Sequence, residues 1–485
     1  MPENPDDLPQ PIGEFQPIDA WQRHINELFY GLRGGRLRDY YQTFTSGDYR
    51  LAHALAADYY ARAAKREKAG GVSPPPRPSP NSGEGEGGGA PRLVILQLGA
   101  GNGNLAGCFL SHLKALDKDG LVYPRVRYVL VDPSEEVLAS ARAHPTLADH
   151  QERVEIVRAP LDHVASIPDA FVDRMLCSEV WNELPTKLML RKDGEVEEEY
   201  LRPNLSAARY AEIRDWSAFV RAFHARDLAA LRAAPPFLED IVWERDYRKT
   251  DWAAVPYRKT ITEFLKEVDD RVLVPINLDA CATMKEAKRV LARDAIGLSA
   301  FDAGAADRKV LNDPEKPCYG TFGGQYSFMV NFPLLEAVAR HVGARAVTLE
   351  PQREFVGRTL GTNVITLMDL LATHPRGATL KGWEQDRLIL ETVHALNETY
   401  SSPYRHRFEF PLRSDIPEQD RQTMQALLTS LKPDGVPDTV AYLTEDEVLG
   451  ALSQLETLGF DREAVHLAFR IPPQPVDYQH FSFLP

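Results

Sequence analysis

The chain has 485 residues, 44% hydrophobic and 26% charged, which is the composition of a globular protein with room for two or three structural units and excludes a disordered or fibrous one. Its formal charge of −14 gives no general field for nucleic acid, so the short basic runs Arg248-Lys249 and Arg258-Lys259 read as solvated faces. Cys108, Cys177, Cys281 and Cys318 form no CxxC pair, so neither a zinc site nor a disulfide framework is expected, and a reducing compartment fits.

The opening MPENPDDLPQPIGEF is acidic and proline-rich, unlike a signal peptide or an organelle presequence. No 18-residue apolar run follows, and the expectation is a cytoplasmic protein without membrane insertion. Residues 1–69 read as a helical segment, because DYRLAHALAADYYARAAKR is alanine-rich with apolar residues at helical spacing. Residues 70–92 are almost wholly Gly, Pro, Ser and charge. Such a stretch cannot bury a core and is expected to be a mobile linker or inserted loop, with recognition by its prolines the lesser alternative.

From residue 93 short buried-strand patterns alternate with helical ones: LVILQLG, RYVLVD (127–132), RVEIVRA (153–159), DRMLCSE (173–179) and IGLSAFDAG (296–304), with helices over 104–116 and 134–143. This predicts an α/β fold, a doubly wound and mainly parallel sheet whose ligands sit beyond the carboxyl ends of the strands. The domain is expected over 93–373, with a helical cap inserted at about 186–270 that includes the amphipathic pattern at 214–234. Residues 374–485 read as an α-rich C-terminal region. In it Thr444 and Glu447 form a capping box, Gly459 ends the helix, and Val448, Leu449, Leu452 and Leu455 make an apolar face for the core or for a partner. The terminal VDYQHFSFLP reads as a docked tail.

The glycine turn after the first strand narrows the ligand. No GxxxxGK[ST] is present, which disfavours a nucleoside triphosphate, and the third glycine of a dinucleotide GxGxxG is replaced by Asn104. The spacing Gly99, Gly101, Gly103 is GxGxG, the form favoured for S-adenosyl-L-methionine, with backbone amides facing the ligand's amino-acid and ribose portions. Asp132 ends the second strand, where a carboxylate accepts both ribose hydroxyls, and Asp162 after the third strand is the candidate for the adenine amino group. An acid there is also a common helix cap, and Asp132 or Ser134 would cap a helix starting near Glu135. A dinucleotide remains the alternative ligand.

LQLGAGNGNLAG, YVLVDPSEEV, CSEVWNELPTK, FDAG, GTFGGQYSFMVNFPLLEAVARHVG and LEPQREFVG occur in an order that resembles the MidA-like methyltransferases. These class I S-adenosyl-L-methionine-dependent enzymes include the mitochondrial complex I assembly arginine methyltransferase. The likeness covers residues 93–361, with a fainter echo of the family's GDF/GDY element in SGDYR (46–50). It implies in-line methyl transfer to a protein arginine, with Glu179, Glu183 and Asp302 gripping the guanidinium. The chain departs from the family where Ser178, Asn182, Gln325, Met329 and Asn331 replace an asparagine, an aspartate, an acid, a histidine and an acid. Those losses leave two further readings open: an inactive methyltransferase-like assembly protein, and a small-molecule methyltransferase. Glu179 would then only bond to backbone amides and Glu183 be solvated. Trp181, Tyr326 and Phe328 are either core or substrate-pocket walls, and His163 is a weaker candidate base. A protein partner is expected, neither metal nor nucleic acid is, and the oligomeric state is left open.

Overall fold

The computed structural model describes residues 8–33, 43, 47–68, 93–313, 315–404, 410–432, 436–438, 440–471, 473 and 478–485. The expected linker at 70–92 and Ser46 of SGDYR lie outside the described residues.

The five expected strands are present as β1 (Leu93–Leu98), β2 (Val126–Asp132), β3 (Val154–Arg158), β4 (Arg174–Ser178) and β5 (Gly297–Ala305), joined by β6 (Ala346–Pro351) and β7 (Tyr478–Leu484). They lie in the order β6-β7-β5-β4-β1-β2-β3 within an eight-stranded sheet completed by Val330–Asn331 beside β5. Among the described residues of this sheet, only β7 runs antiparallel to its neighbours, β5 and β6. Every residue of β1 is buried, as its continuous apolar run requires of a strand covered on both faces. One core holds Val94, Leu96, Leu98 and Met175, and the other holds Ile95, Tyr128, Leu130 and Phe109. The chain winds one way from β1 to β3 and the other way from β4 to β5, so a crevice opens at the carboxyl ends of β1 and β4.

The N-terminal segment is not one unit. Helix α1 (Ile18–Arg33) packs through Trp21, Ile25, Leu28 and Phe29 against Leu188, Leu201 and Phe223 of the inserted region. Helix α2 (Arg50–Lys68) lies on the parallel sheet, where Tyr59 and Arg66 bond the buried Asp173 at 2.9 and 2.7 Å. Helices α3 (Asn104–Leu116) and α4 (Glu135–Arg142) follow β1 and β2.

The expected helical cap is instead built on a six-stranded antiparallel sheet. It contains Thr186–Lys192, Glu195–Leu205, Ile241–Lys249 and Val274–Asn277, with Gln10–Pro11 and Gln16–Pro17 added from the N-terminus. The insertion therefore extends past residue 270. Its first hairpin turns at Asp193-Gly194, with φ of 52° and 84°, the left-handed pair that an Asp-Gly hairpin turn demands. The pattern at 214–234 is broken into Trp216–Ala225 and Leu228–Arg232, because Asp215 and Asp227 each cap a separate helix.

The C-terminal region has its own core, including Leu370, Leu396, Leu443, Val448, Leu452 and Leu455. The Thr444–Glu447 capping box is formed, but the helix it starts breaks at Ala451 into Glu445–Gly450 and Leu452–Thr457. The terminal segment corrects the expected boundary at 373. As β7 it is inserted between β5 and β6, with Phe481 and Phe483 fully buried, so it is an interior strand of the sheet and not a tail resting on it. Among the described residues no helix is long and apolar enough to cross a membrane.

Candidate active site

The loop after β1 places three glycines in the left-handed region, Gly99, Gly101 and Gly103 at φ of 76°, 54° and 87°. A Cβ on Gly99 would lie 2.7 Å from Cγ2 of Val180, and one on Gly103 would lie 2.3 Å from the Ala141 carbonyl oxygen. Both glycines are therefore needed for packing. At Gly101 an added Cβ meets nothing within 4 Å, so here the backbone borders open space at the mouth of the crevice. Asn104 stands where a dinucleotide fold needs its third glycine, and its side chain is tied down by donating to the Asp48 carbonyl at 3.0 Å.

Asp132 closes the other side of this loop. Its Oδ2 accepts from the Ala100 amide at 3.2 Å and its Oδ1 from the Ser134 amide at 2.9 Å. Burial pushes its pKa up to about 6, against the pull of those two amides. Ser134, and not Asp132, caps α4, its hydroxyl accepting from the Val137 amide at 3.2 Å. That leaves the Asp132 carboxylate at the loop. Asp162 lies beyond β3, half-buried. Its charge, after burial and against Arg23, contributes to holding Asp279 up at about 6. His163 beside it is exposed and faces the buried Glu286 at 3.2 Å.

The three candidate catalytic carboxylates have unlike surroundings. Glu179 is buried at the end of β4 with φ of 52°, its amide donating to the Phe301 carbonyl at 2.7 Å. A left-handed glutamate at the tip of a central strand is a strained position of the kind found at functional sites. Its charge is felt by Tyr442 and Tyr478. Glu183 follows in a turn, not a helix, and accepts a hydrogen bond from the Tyr30 hydroxyl of α1. Burial first, and then Glu183, keeps that phenol well above its ordinary pKa, and the charge of Asp132 adds to the effect.

Asp302 is the most deeply buried of the three. Its Oδ2 and Oδ1 accept from the Asn182 and Ala303 amides at 3.1 and 2.9 Å, so both oxygens serve to pin the turn after β4 to the end of β5. Burial pushes its pKa to about 8, against the opposing amides. Near neutrality it holds its proton.

Trp181, Tyr326 and Phe328 are 0%, 1% and 1% exposed and are core aromatics, not pocket walls. Of the departures from the family pattern, Asn331 caps the helix Phe332–His341 and donates to the Pro275 carbonyl at 3.0 Å, and Met329 packs against the apolar core. Asn182 and Gln325 are different. Each donates through its amide nitrogen, to Ser327 Oγ at 3.1 Å and to the Tyr30 hydroxyl at 3.2 Å. Their oxygens are buried and accept nothing from the described residues.

Residue patterns did not single out Tyr30, Gln22 and Asn26. All three lie on α1, and Gln22 and Asn26 hold the Glu183 carbonyl, at 3.2 Å each. Their spacing of four residues each on one helix face is the only trace in the sequence.

A doubly wound sheet with a GxGxG turn at its switch point, Asn104 in place of a dinucleotide fold's third glycine and a buried acid ending the second strand fits the S-adenosyl-L-methionine site of a class I methyltransferase. Known proteins agree: residues 84–313 match the family model described as "Putative S-adenosyl-L-methionine-dependent methyltransferase", and the chain is a methyltransferase that uses this cofactor. No curated protein matches it. Among solved structures, one from Burkholderia thailandensis bound to S-adenosyl-homocysteine is 15% identical. It is matched over 97% of this chain and 88% of that one, with a TM-score of 0.45. An uncharacterised Burkholderia thailandensis protein gives 15% identity, 97% and 87% coverage and a TM-score of 0.43. A SAM-dependent methyltransferase from Aquifex aeolicus gives 12%, 53% and 73%, and 0.24.

Proposed function

We propose that the chain methylates a nitrogen of a protein partner, an arginine guanidinium, as its resemblance to the MidA-like enzymes implies. The observation that carries the reading is the acceptor set around Glu183: one carboxylate, with the free oxygens of Asn182 and Gln325 beside it. A guanidinium has one positive charge and five N–H donors in a plane. The full negative charge of Glu183 and two neutral acceptors match its charge and donors, while Asp302 keeps its proton near neutrality.

The bound cofactor supplies a methyl group on a sulfonium centre, open to in-line displacement. The chain's own contribution is alignment. Glu183, fixed by Tyr30 and by the α1 amides on its carbonyl, holds the acceptor nitrogen in line and takes the proton that nitrogen gives up on methylation, while Gly101 and Asp132 hold the donor. With Cys108, Cys177 and Cys281 buried as free thiols, a reducing, cytoplasmic setting suits the protein. The partner is expected to dock on the cap sheet and α1, which together border Glu183.

The test is transfer of labelled methyl from S-adenosyl-L-methionine to protein and metabolite fractions, with the modified residue read by mass spectrometry. Methylarginine that disappears in Glu183→Gln while S-adenosylhomocysteine still binds supports the proposal. Label confined to metabolites refutes the protein acceptor, and no label in any fraction leaves the assembly-protein reading.

A further inference from the structure

The hairpin that supplies Gln325 carries one aromatic residue that the core does not use. Its strands, Tyr319–Phe322 and Gln325–Phe328, pair with Gly320 opposite Ser327 and Phe322 opposite Gln325. Directly opposed residues share a face, and neighbours along a strand alternate between faces. Tyr319, Tyr326 and Phe328 therefore make one face, which is core: the rings of Tyr326 and Phe328 lie 5.5 and 5.3 Å from that of Tyr319 and both residues are 1% exposed. Gly320, Phe322, Gln325 and Ser327 make the other. This is the face of the acceptor set, because from it Gln325 reaches Tyr30 and Ser327 reaches Asn182. Phe322, on the same face, is 55% exposed.

A single exposed hydrophobic side chain needs no explanation by itself, but two features set Phe322 apart. The first is where its ring lies. A Cβ added to Gly320 would be 3.4 and 3.6 Å from Cε2 and Cζ of Phe322, so the ring folds back along its own strand, over the glycine opposite Ser327, instead of pointing off the hairpin's tip. The second is a fixed support. Gly323 and Gly324, with φ of 59° and 92°, make a two-residue turn of the left-handed kind that closes a tight hairpin. A Cβ on Gly324 would lie 2.5 Å from Cβ of Leu238, and the Gly323 carbonyl accepts from Arg33 at 3.3 Å, on the same helix α1 as Tyr30. A ring carried on so firmly held a backbone loses little freedom when a ligand covers it.

We infer that Phe322 is the platform on which the flat face of the acceptor's guanidinium stacks, and so a specificity-determining residue for the methyl acceptor. The inference rests on the arginine reading given above. A guanidinium has two kinds of surface: an edge of N–H donors, and two weakly hydrated faces that stack on aromatic rings. The carboxylate of Glu183 and the oxygens of Asn182 and Gln325 serve the edge. They leave the face uncovered, and the ring of Phe322, beside Gln325 and Ser327, supplies what it lacks. A lysine ammonium, compact and strongly hydrated, gains less from such a ring, which favours arginine over lysine at this site.

The experiment uses the full chain and labelled S-adenosyl-L-methionine, with the protein fraction of a cell extract as the acceptor probe over a range of concentrations and methylarginine read by mass spectrometry. Phe322→Ala is expected to raise the extract concentration needed for half-maximal methylarginine by about three- to thirtyfold, the range of one cation–π contact. S-adenosylhomocysteine affinity, measured by calorimetry, should stay within about twofold, since the ring serves the acceptor and not the donor. Phe322→Tyr should restore most of the loss, whereas Phe322→Leu, apolar but without a π face, should not. Half-saturation unchanged in Phe322→Ala, or Phe322→Leu as good as the unmodified chain, overturns the inference. Should Phe322→Ala not fold, as judged by circular dichroism, the comparison of Phe322→Leu with Phe322→Tyr decides in the same way. Label on protein residues other than arginine, or none on protein from the unmodified chain, would instead sink the arginine reading and the inference with it.

Discussion

Gly101 and Gly103 are two residues apart in one loop, yet the structure predicts that alanine at each fails for a different reason. At Gly103, φ of 87° and a Cβ placed 2.3 Å from a carbonyl oxygen of α4's last turn combine left-handed strain with a backbone clash. The sum is about 2–5 kcal/mol of lost stability, from roughly 1–2 for the conformation and 1–3 for overpacking. At Gly101, φ of 54° with no atom within 4 Å leaves the conformational cost alone, about 1–2 kcal/mol. The new methyl group would then occupy ligand space. Thermal melting with and without S-adenosylhomocysteine separates the cases. Gly103→Ala should melt far lower, whereas Gly101→Ala should melt slightly lower and lose most of the ligand-induced shift, which for the unmodified chain is about 2.7 kcal/mol at 100 times the dissociation constant. A Gly101→Ala variant that keeps that shift would show that the cofactor does not run along the loop.

Asp132, held up at about 6 by burial, accepts both ribose hydroxyls best when ionised, so S-adenosylhomocysteine affinity should fall as pH drops below about 6, and that fall should shrink in Asp132→Asn. Asp302 has a folded pKa of about 8 against an ordinary value of 3.8. A raised carboxyl favours the fold below the unfolded pKa and loses that advantage as pH rises through the folded one. Asp302→Asn should therefore gain stability relative to the unmodified chain as pH goes from 4 to 8, measured as the difference between urea midpoints; a constant difference would refute the assignment. Arg50→Met would strip the half-buried Glu447 and the Tyr442 carbonyl of their buried cation, costing up to about 3 kcal/mol, the lower end for a broken buried ion pair, read as a lower melting point with early proteolysis in the C-terminal region.

The parallel sheet was legible because buried strands write themselves as short apolar runs: all five expected strands are present, within two residues at each end. The cap was misread for a local reason. EVEEEYLRPNL carries four glutamates and arginine among its apolar positions, which hides the strand, and the clearest signal in the region is the Asp193-Gly194 turn. The terminal strand was missed because HFSFL, apolar on alternate residues, sits far from any other strand pattern, and only the tertiary structure reveals the gap between β5 and β6 that it fills. On the site, the glycine loop and Asp132 could be placed from the sequence, since the spacing of the loop and the strand end determine both. Tyr30 could not, because it reaches Glu183 from α1, an element remote in the chain.

That remoteness has a consequence for how the enzyme is assembled. β7 cannot enter the sheet until β5 and β6 exist, and Tyr442 cannot reach Asp48 until the C-terminal core has formed beside α2. The sheet that carries the crevice is therefore completed by residues 478–484, and the carboxylates proposed to serve it come from separate pieces: Asp132 at the end of β2 and Glu183 after β4. Truncation before residue 436 would leave the glycine loop's strand and helix intact while removing Tyr442 and β7. It should abolish S-adenosylhomocysteine binding, and a truncated chain that bound the ligand normally would show that the site is confined to the sheet's first half.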